Sequence, residues 1–195
     1  RYGRSGQLPK TAGRTGTVVY LKGRIGTAPM NLKLYNNEIQ SQAATVPDGE
    51  YDVNGIETDY GNFSGVQIYS NRFTGTPTDG YNGIYVNGAV NGGNVSAANH
   101  LLIRNNTFLG NVQRAIAVET SNTDIIGNTI VTNLAVADAW SGIQVRSGQG
   151  AGFNAASDIT IRGNSISGFT WGIKLGMNVE TYGVDQSLTG IAVTS

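Results

Sequence analysis

The sequence predicts an all-β fold, a right-handed parallel β-helix (solenoid) of about five to seven coils with 22–36 residues per coil. Two observations predict it: a short strand motif containing asparagine recurs along the chain, and a second strand motif falls between its copies. The composition agrees, because 80 of the 195 residues are Gly, Asn, Thr or Ser, which favour turns over helices. The absence of cysteine excludes disulfides and cysteine-ligated zinc.

The first motif reads apolar, any, apolar, two of any kind, Asn, any, then Ile or Phe. Its five copies close at Ile39, Phe73, Phe108, Ile130 and Ile166, which lie 34, 35, 22 and 36 residues apart. We expect its asparagines to lie one above another where the chain bends between strands. Asn tolerates the left-handed backbone conformation, and its amide can bond to the Asn of the next coil. These residues are Asn37, Asn71, Asn106, Asn128 and Asn164.

The second motif is a small residue, then Ile, any residue and an apolar residue. Its copies begin at Gly83, Ala115, Gly142, Gly172 and Gly190, with a polar variant at Gly55. Such short strands cannot bury a face alone, but they can stack on their equivalents with rungs ~4.8 Å apart. Crossovers between parallel strands are right-handed in nearly all cases, which predicts the hand of the solenoid. A β-sandwich is the rival fold, but it leaves the fixed position of Asn unexplained.

The chain divides into a basic N-terminal arm or fragment edge, 1–16, and a single β-helix domain over 17–195. Residues 1–37 carry seven positive charges and no acid, although the net charge is zero. We interpret the arm as a solvated segment or the edge of a longer chain, in preference to a nucleic-acid-binding arm. No apolar run approaches the ~20 residues of a membrane span.

The C-terminal coil is expected to need a cover, because an open solenoid end exposes strand edges. We therefore expect the domain to be part of a longer chain or of an assembly. Either missing polypeptide or a neighbouring subunit would cover the last coil, for example in a homo-oligomer such as a trimer.

Aligned copies of the motifs predict columns of outward-facing side chains. One step after the inward Ile of the second motif, the column contains Glu57, Tyr85, Ala117, Gln144, Lys174 and Ala192. Three steps after it, the column contains Asp59, Asn87, Glu119, Arg146, Gly176 and Thr194. The first motif adds a column of Tyr35, Tyr69, Arg104, Ile126 and Arg162.

Aromatic, amide and charged groups in such columns are the types that bind sugars. The candidate substrate-binding residues are Tyr69, Tyr85, Asn87, Arg104, Gln144, Arg146 and Lys174. An exposed polar sheet face without a ligand explains the same residues.

Asp59 and Glu119 are the candidate catalytic pair, because glycoside hydrolysis uses two carboxyl groups. They share a column two rungs apart, which corresponds to roughly 10 Å. Arg146, one rung beyond Glu119, could orient a substrate or lower the pKa of a carboxyl group. An incidental Glu–Arg pair on an exposed face is the alternative interpretation.

Residues 48–59 hold five carboxylates and form the densest acidic cluster of the chain. Asp48, Glu50 and Asp52 are candidate Ca²⁺ ligands, since calcium prefers oxygen ligands. The spacing does not match an EF-hand loop, and a solvated acidic loop is the alternative. The expected cofactor is therefore none or Ca²⁺. His100 is the only histidine, and we interpret it as an ordinary edge residue.

These two motifs resemble the parallel β-helix repeat of the pectin-lyase-like superfamily over about residues 30–193. That group includes pectate and alginate lyases, polygalacturonases, mannuronan epimerases and bacteriophage tailspikes. The resemblance implies an elongated protein, extracellular, at the cell surface or on a virion, that handles acidic or neutral polysaccharide. Tyr182-Gly183-Val184-Asp185 is similar to the Tyr-Gly-Phe-Asp run of the epimerases, but Gln186 and Ser187 follow where those enzymes continue with Pro and His.

Three functions stay open on this evidence. The first is recognition of a polysaccharide through an outward sheet face and its flanking loops. The second is a carbohydrate-active enzyme of the same fold, either a glycoside hydrolase or a polysaccharide lyase or epimerase. The third is a structural solenoid or assembly subunit without catalytic activity. The low charge density and the lack of a histidine after Tyr182-Gly183-Val184-Asp185 favour the first and third functions over a lyase. The sequence contains no phosphate-binding loop that would support nucleotide chemistry.

Overall fold

The structure is a computed structural model that describes residues 18–22, 28–41, 54–59, 61–75, 81–86, 95–135, 139–146, 156–176 and 188–195. The regular elements of these ranges are all β-strands, which confirms the predicted fold class. No helix in the same ranges has the length and apolar character to cross a membrane.

Three parallel sheets build the solenoid. Sheet A contains β1 (Val19–Lys22), β4 (Asn54–Asp59), β7 (Tyr81–Val86), β10 (Val112–Val118), β13 (Ser141–Val145) and β16 (Trp171–Leu175). Sheet B contains β2 (Lys33–Tyr35), β5 (Gln67–Tyr69), β8 (Leu101–Arg104), β11 (Thr123–Ile126), β14 (Ser157–Arg162) and β17 (Thr189–Thr194). Sheet C contains β3 (Glu38–Ser41), β6 (Arg72–Gly75), β9 (Thr107–Gly110), β12 (Thr129–Val131) and β15 (Ser165–Ser167). Each strand pairs with the strand three places along the chain, as a coil of three strands requires.

The core consists of stacked apolar columns that face inward from the three sheets. The second motif forms sheet A, where Ile84 lies opposite Ile116 and both are fully buried. Its small residue faces sheet C: a Cβ atom on Gly83 would collide with the ring of Phe108. Phe108 in turn stacks on Phe73 at 4.6 Å between ring centroids. The same holds for Gly55 against Phe73 and for Gly142 against Ile166, so at these three coils the glycine before Ile leaves room for the larger side chain of the neighbouring sheet.

The five motif asparagines lie in a single file at the turn between sheets B and C, which confirms the prediction. Each carboxamide donates from Nδ2 to Oδ1 of the next asparagine, at 3.0, 3.1, 3.1 and 2.9 Å from Asn37 to Asn164. The inner members also donate to a carbonyl of the preceding coil, as Asn106 does to Ile68 at 2.9 Å. Asn71, Asn106 and Asn128 are buried, so this ladder satisfies polar groups that would otherwise be costly to bury.

The left-handed backbone conformation lies one residue earlier than predicted. At this turn, the residues with positive φ directly precede the ladder asparagines; examples are Asn36 (55°), Ser70 (54°) and Asn105 (51°). The turn at this position directs the following carboxamide into the file. The side chain of the residue with positive φ then lies on the outer side of the corner.

The last copy of the second motif, 190–193, does not belong to sheet A. It forms β17, which pairs with β14 in sheet B, with Ile191 opposite Ile159 and Ala192 opposite Thr160. The prediction that Ala192 and Thr194 continue the outward columns of sheet A is therefore wrong. Inward apolar residues alternate in both sheets, so an Ile-x-apolar sequence fits either of them.

Burial falls sharply at the C-terminal coil. Val145 is buried, whereas Leu175, in the same inward column, is 50 % exposed, and Val193 on β17 is 49 % exposed. Among the described strands, none pairs with the outer edges of β15, β16 and β17. The expected cover, by further polypeptide or by a subunit of a homo-oligomer such as a trimer, stays a prediction.

Candidate functional site

Three predicted site residues of sheet A meet in one network. The amide of Glu119 donates to the carbonyl of Val86, and the amide of Arg146 to that of Val118, so Tyr85, Glu119 and Arg146 lie on three successive coils. The Tyr85 hydroxyl donates to Glu119 Oε1 at 3.0 Å, and Arg146 Nη2 donates to the Tyr85 hydroxyl at 2.8 Å. Arg146 Nε also forms an ion pair with Glu119 Oε1. We call these three residues the sheet A network.

The sheet A network is largely closed to solvent. The side chains of Arg146 and Glu119 are 9 % and 2 % exposed. Burial raises the pKa of the Tyr85 hydroxyl above its usual range, and the nearby Glu119 carboxylate acts in the same direction. The hydroxyl therefore stays protonated at neutral pH and acts as a donor to the carboxylate. A tyrosine in this state cannot serve as a general base.

The other predicted residues of sheet A do not join this network in the described contacts. Gln144 is buried and donates from Nε2 to the carbonyl of Gly176 at 3.4 Å. Lys174 lies opposite Gln144 on β16 and is partly exposed. Asp59 ends β4, opposite Lys22, and its side chain is outside the described part of the structure. Asn87 is outside the described residues altogether.

The predicted calcium ligands Asp48, Glu50 and Asp52 also lie outside the described residues. Within the described ranges, no three His, Cys, Asp or Glu side chains come together as a metal site would require. The calcium prediction therefore stays a prediction.

A shallow groove runs over the corner between sheets B and C. We call it the corner groove; its volume is about 480 Å³. The lining side chains are amide, hydroxyl and charged groups on three coils: Asn36, Asn37, Glu38, Ser70, Asn71, Arg72, Asn105 and Thr107. Arg72 and Glu38 form a wide, exposed pair, with 3.9 Å between Nε and Oε1.

The predicted column of sheet B lies beside the corner groove. Tyr35 and Tyr69 stack with 5.0 Å between ring centroids and 3° between planes. The Arg104 guanidinium carbon lies 4.9 Å from the centroid of Tyr69. We call Tyr35, Tyr69 and Arg104 the tyrosine column. Because Tyr69 lies between its two neighbours, both of its ring faces are covered, and it offers a ligand only its edge and hydroxyl.

Sequence reasoning found the tyrosine column but missed the corner groove. Asn36, Ser70 and Asn105 directly precede the ladder asparagines, and Glu38, Arg72 and Thr107 directly follow them. Their fixed offset from the motif was the available signal. The motif by itself indicates only a bend at these positions, and it does not indicate that their side chains line one groove.

Two further contacts lie outside the sheet A network, the corner groove and the tyrosine column. His100, just before β8, places Nδ1 3.2 Å from Oδ2 of Asp124 on β11, so the histidine does have a specific partner. Trp140 and Trp171, which were not predicted as site residues, are 50 % and 55 % exposed on neighbouring coils. The guanidinium of the buried Arg114 lies 5.3 Å from the ring of Trp140.

Comparison of the chain with protein-family models, curated proteins and solved structures finds no match. The assignment of the fold as a parallel solenoid is therefore supported by the structure alone. Membership of the pectin-lyase-like superfamily stays a prediction from the repeat.

Proposed function

We propose that this protein recognises a polysaccharide through the corner groove and the adjoining tyrosine column. The observation that supports this most is that amide, hydroxyl and charged groups, most of them on exposed residues, line one groove across three successive coils. Sugars are bound by such groups through hydrogen bonds to their hydroxyls, with aromatic side chains alongside. The same proposal puts the protein outside the cell, at a cell surface or on a virion.

The corner groove suits a ligand better than the sheet A network does. Tyr85, Glu119 and Arg146 hydrogen-bond and ion-pair with one another, and their charged groups are buried. A sugar could reach them only by breaking those contacts, and an unpaired buried charge is costly. The charged side chains of the corner groove are 57 % and 71 % exposed at Arg72 and Glu38, so they can bind a ligand without such a cost.

The repeat of the groove favours a polymer over a small molecule. Equivalent positions recur on coils ~4.8 Å apart, so a chain of sugar units lying along the solenoid axis meets a similar group at each coil. The groove is open rather than enclosed, unlike the deep pockets that surround small ligands. Several weak contacts along a polymer then add to a useful affinity.

Catalysis is a separate question from binding. A hydrolase that uses Asp59 and Glu119 would need Glu119 to leave its ion pair with Arg146. Recognition through the corner groove needs no such step. Incubation with the bound polysaccharide distinguishes the two: shortened chains or new unsaturated ends would reveal a hydrolase or a lyase.

The test is affinity electrophoresis against a panel of neutral and acidic polysaccharides, with variants that fill or spare the groove. Thr107→Trp places a bulky side chain in the groove at a strand position that tolerates it. Ser165→Trp is the matched control, because it occupies the same outward column two coils away. Lys174→Ala tests the face of sheet A.

Thr107→Trp is expected to weaken binding about tenfold or more, since every 1.4 kcal/mol of lost contact is tenfold in affinity. Ser165→Trp and Lys174→Ala are expected to bind as the unmodified protein does. The proposal is overturned if no polysaccharide of the panel binds, or if Lys174→Ala weakens binding and Thr107→Trp does not.

A further inference from the structure

Arg104 stands beside the corner groove without a carboxylate partner among the described residues. The ion pairs of those residues join Arg72 to Glu38 and Arg146 to Glu119, and His100 contacts Asp124. Arg104 takes part in none of these contacts, and its side chain makes no hydrogen bond to the described residues. Its neighbours in the column are Tyr69 and Ile126, neither of which has a carboxylate.

Stacking, rather than a hydrogen bond, fixes the Arg104 guanidinium. The group lies 4.9 Å from the Tyr69 ring centroid, and Tyr69 is itself held from behind by Tyr35. Arg104 Nε is buried and has no hydrogen-bond partner. A planar guanidinium that rests on an aromatic face loses little further freedom when it binds a ligand.

The residues next to Arg104 supply additional donors. Asn105, which follows Arg104 in sequence, lines the corner groove together with Ser70 and Thr107. An amide and two hydroxyls can donate to oxygen atoms of an anion that the guanidinium holds. Two acids of sheets B and C, Glu38 and Asp124, already contact other side chains, Arg72 and His100.

We propose that Arg104 is an oxyanion-binding point that takes a carboxylate or sulfate-ester substituent of the glycan in the corner groove. The inference rests on the proposed function, because it assigns the class of polysaccharide that this face recognises. Two oxygens of the substituent would accept a bidentate pair of hydrogen bonds from the guanidinium. Lys cannot replace Arg in this role, because an ammonium group has neither the planar fork nor the stacking surface.

Arg162 is the matched control for Arg104. It lies in the same outward column, two coils further along, and is exposed. Its neighbours in the column, Ile126 and Thr194, are not aromatic, so nothing in the column holds its guanidinium flat. General attraction of a polyanion to positive charge would act on Arg104 and Arg162 alike.

The experiment measures the affinity of the full chain and of three variants for carboxylated, sulfated and neutral polysaccharides at one ionic strength. Arg104→Gln is expected to weaken binding of a charged polysaccharide about tenfold or more and to leave a neutral one unchanged. Arg104→Lys is expected to recover only part of that loss. Arg162→Gln should change each affinity less than twofold. A preference for the carboxylated or the sulfated polymer identifies the substituent.

Two results would overturn the inference while leaving the proposed function intact. One is equal loss in Arg104→Gln and Arg162→Gln, which would indicate nonspecific charge attraction. The other is tight binding of neutral polysaccharides alone.

If no polysaccharide binds, the proposed function fails, and the oxyanion point is tested on its own. The NMR signals of the arginine side chains are followed in the unmodified protein during titration with sodium sulfate or sodium acetate. A saturable shift of the Arg104 signal that Arg162 lacks would support the site. Equal or absent shifts would overturn it.

Discussion

The sheet A network and the corner groove contain similar residue types but differ in what those residues contact. In the network, Tyr85, Glu119 and Arg146 bind one another and the two charged side chains are buried. At the groove, Arg72 and Glu38 are exposed and 3.9 Å apart. Tyrosine, arginine and glutamate in an outward column therefore indicate either a structural network or a binding face, and burial together with pairing decides which.

The two regions should also differ in energy. Moving a carboxylate and a guanidinium out of water is costly, and their attraction offsets this only where the geometry is good and further hydrogen bonds form. Tyr85 supplies such bonds to both members of the buried pair. The exposed pair of the groove gains little because solvent screens it. Four predictions follow this contrast, from the largest effect to the smallest.

Removal of the Glu119 charge should destabilise the protein most. Glu119→Gln leaves Arg146 as a buried cation without its carboxylate and is expected to lower the free energy of unfolding by about 3–5 kcal/mol. Glu38→Gln, the matched change in the exposed pair, is expected to cost between zero and about 1 kcal/mol. Urea unfolding of both variants measures the difference. Losses of similar size would show that the two regions are not energetically distinct.

Alkaline pH should weaken the fold through Tyr85. Because burial raises the pKa of this hydroxyl, the folded state keeps the proton at a pH where the unfolded chain releases it, above about 10. The free energy of unfolding then falls with rising pH by up to about 1.4 kcal/mol per pH unit, while below this range Tyr85 contributes no pH dependence.

Tyr85→Phe removes the titrating group and should flatten this part of the pH profile, whereas Tyr35→Phe, an exposed control, should keep it. Urea unfolding at about pH 9 and about pH 11 makes the comparison. An unchanged slope in Tyr85→Phe would contradict the assignment.

Loss of the middle ring should disturb the tyrosine column more than loss of the end ring. Tyr69 contacts both Tyr35 and Arg104, while Tyr35 contacts only Tyr69 in the column. Tyr69→Leu is expected to lower the free energy of unfolding by about 1–2 kcal/mol, since it removes an aromatic pair and a cation–π contact. Tyr35→Leu removes only the aromatic pair and should cost about 0.5–1.5 kcal/mol. The same order is expected for loss of affinity toward a charged polysaccharide.

Tryptophan fluorescence should show almost no response to ligand. The chain has two tryptophans, and Trp140 and Trp171 lie at the start of β13 and β16 in sheet A, not at the groove. A polysaccharide bound in the corner groove should leave their emission unchanged at saturation. A clear blue shift would place the ligand on the sheet A side instead.

The sequence was sufficient for the fold because the repeat encodes it locally. Most coils supply an inward apolar residue, a small residue before it and an asparagine that bonds along the file, and each of these has a fixed position within its strand motif. The register of Tyr85, Glu119 and Arg146 followed from the same alignment. The position of 190–193 did not, because an Ile-x-apolar strand suits sheets A and B equally well.

The nature of the candidate site was harder to predict than the fold. Whether Glu119 is buried depends on long side chains from three coils that close over one another, and a column alignment contains no information about solvent. The stacking of Tyr35 on Tyr69 follows from strand register, yet the consequence that both faces of Tyr69 are covered required the position of Arg104 as well.

The most direct test of the contrast is a backbone NMR titration with a polysaccharide that binds. Amide signals of Ser70, Arg72 and Thr107 are predicted to shift with ligand concentration and to saturate together. Signals of Tyr85 and Gln144 on sheet A are predicted to stay where they are. The opposite pattern would show that sheet A holds the ligand and that the corner groove is only a solvated corner.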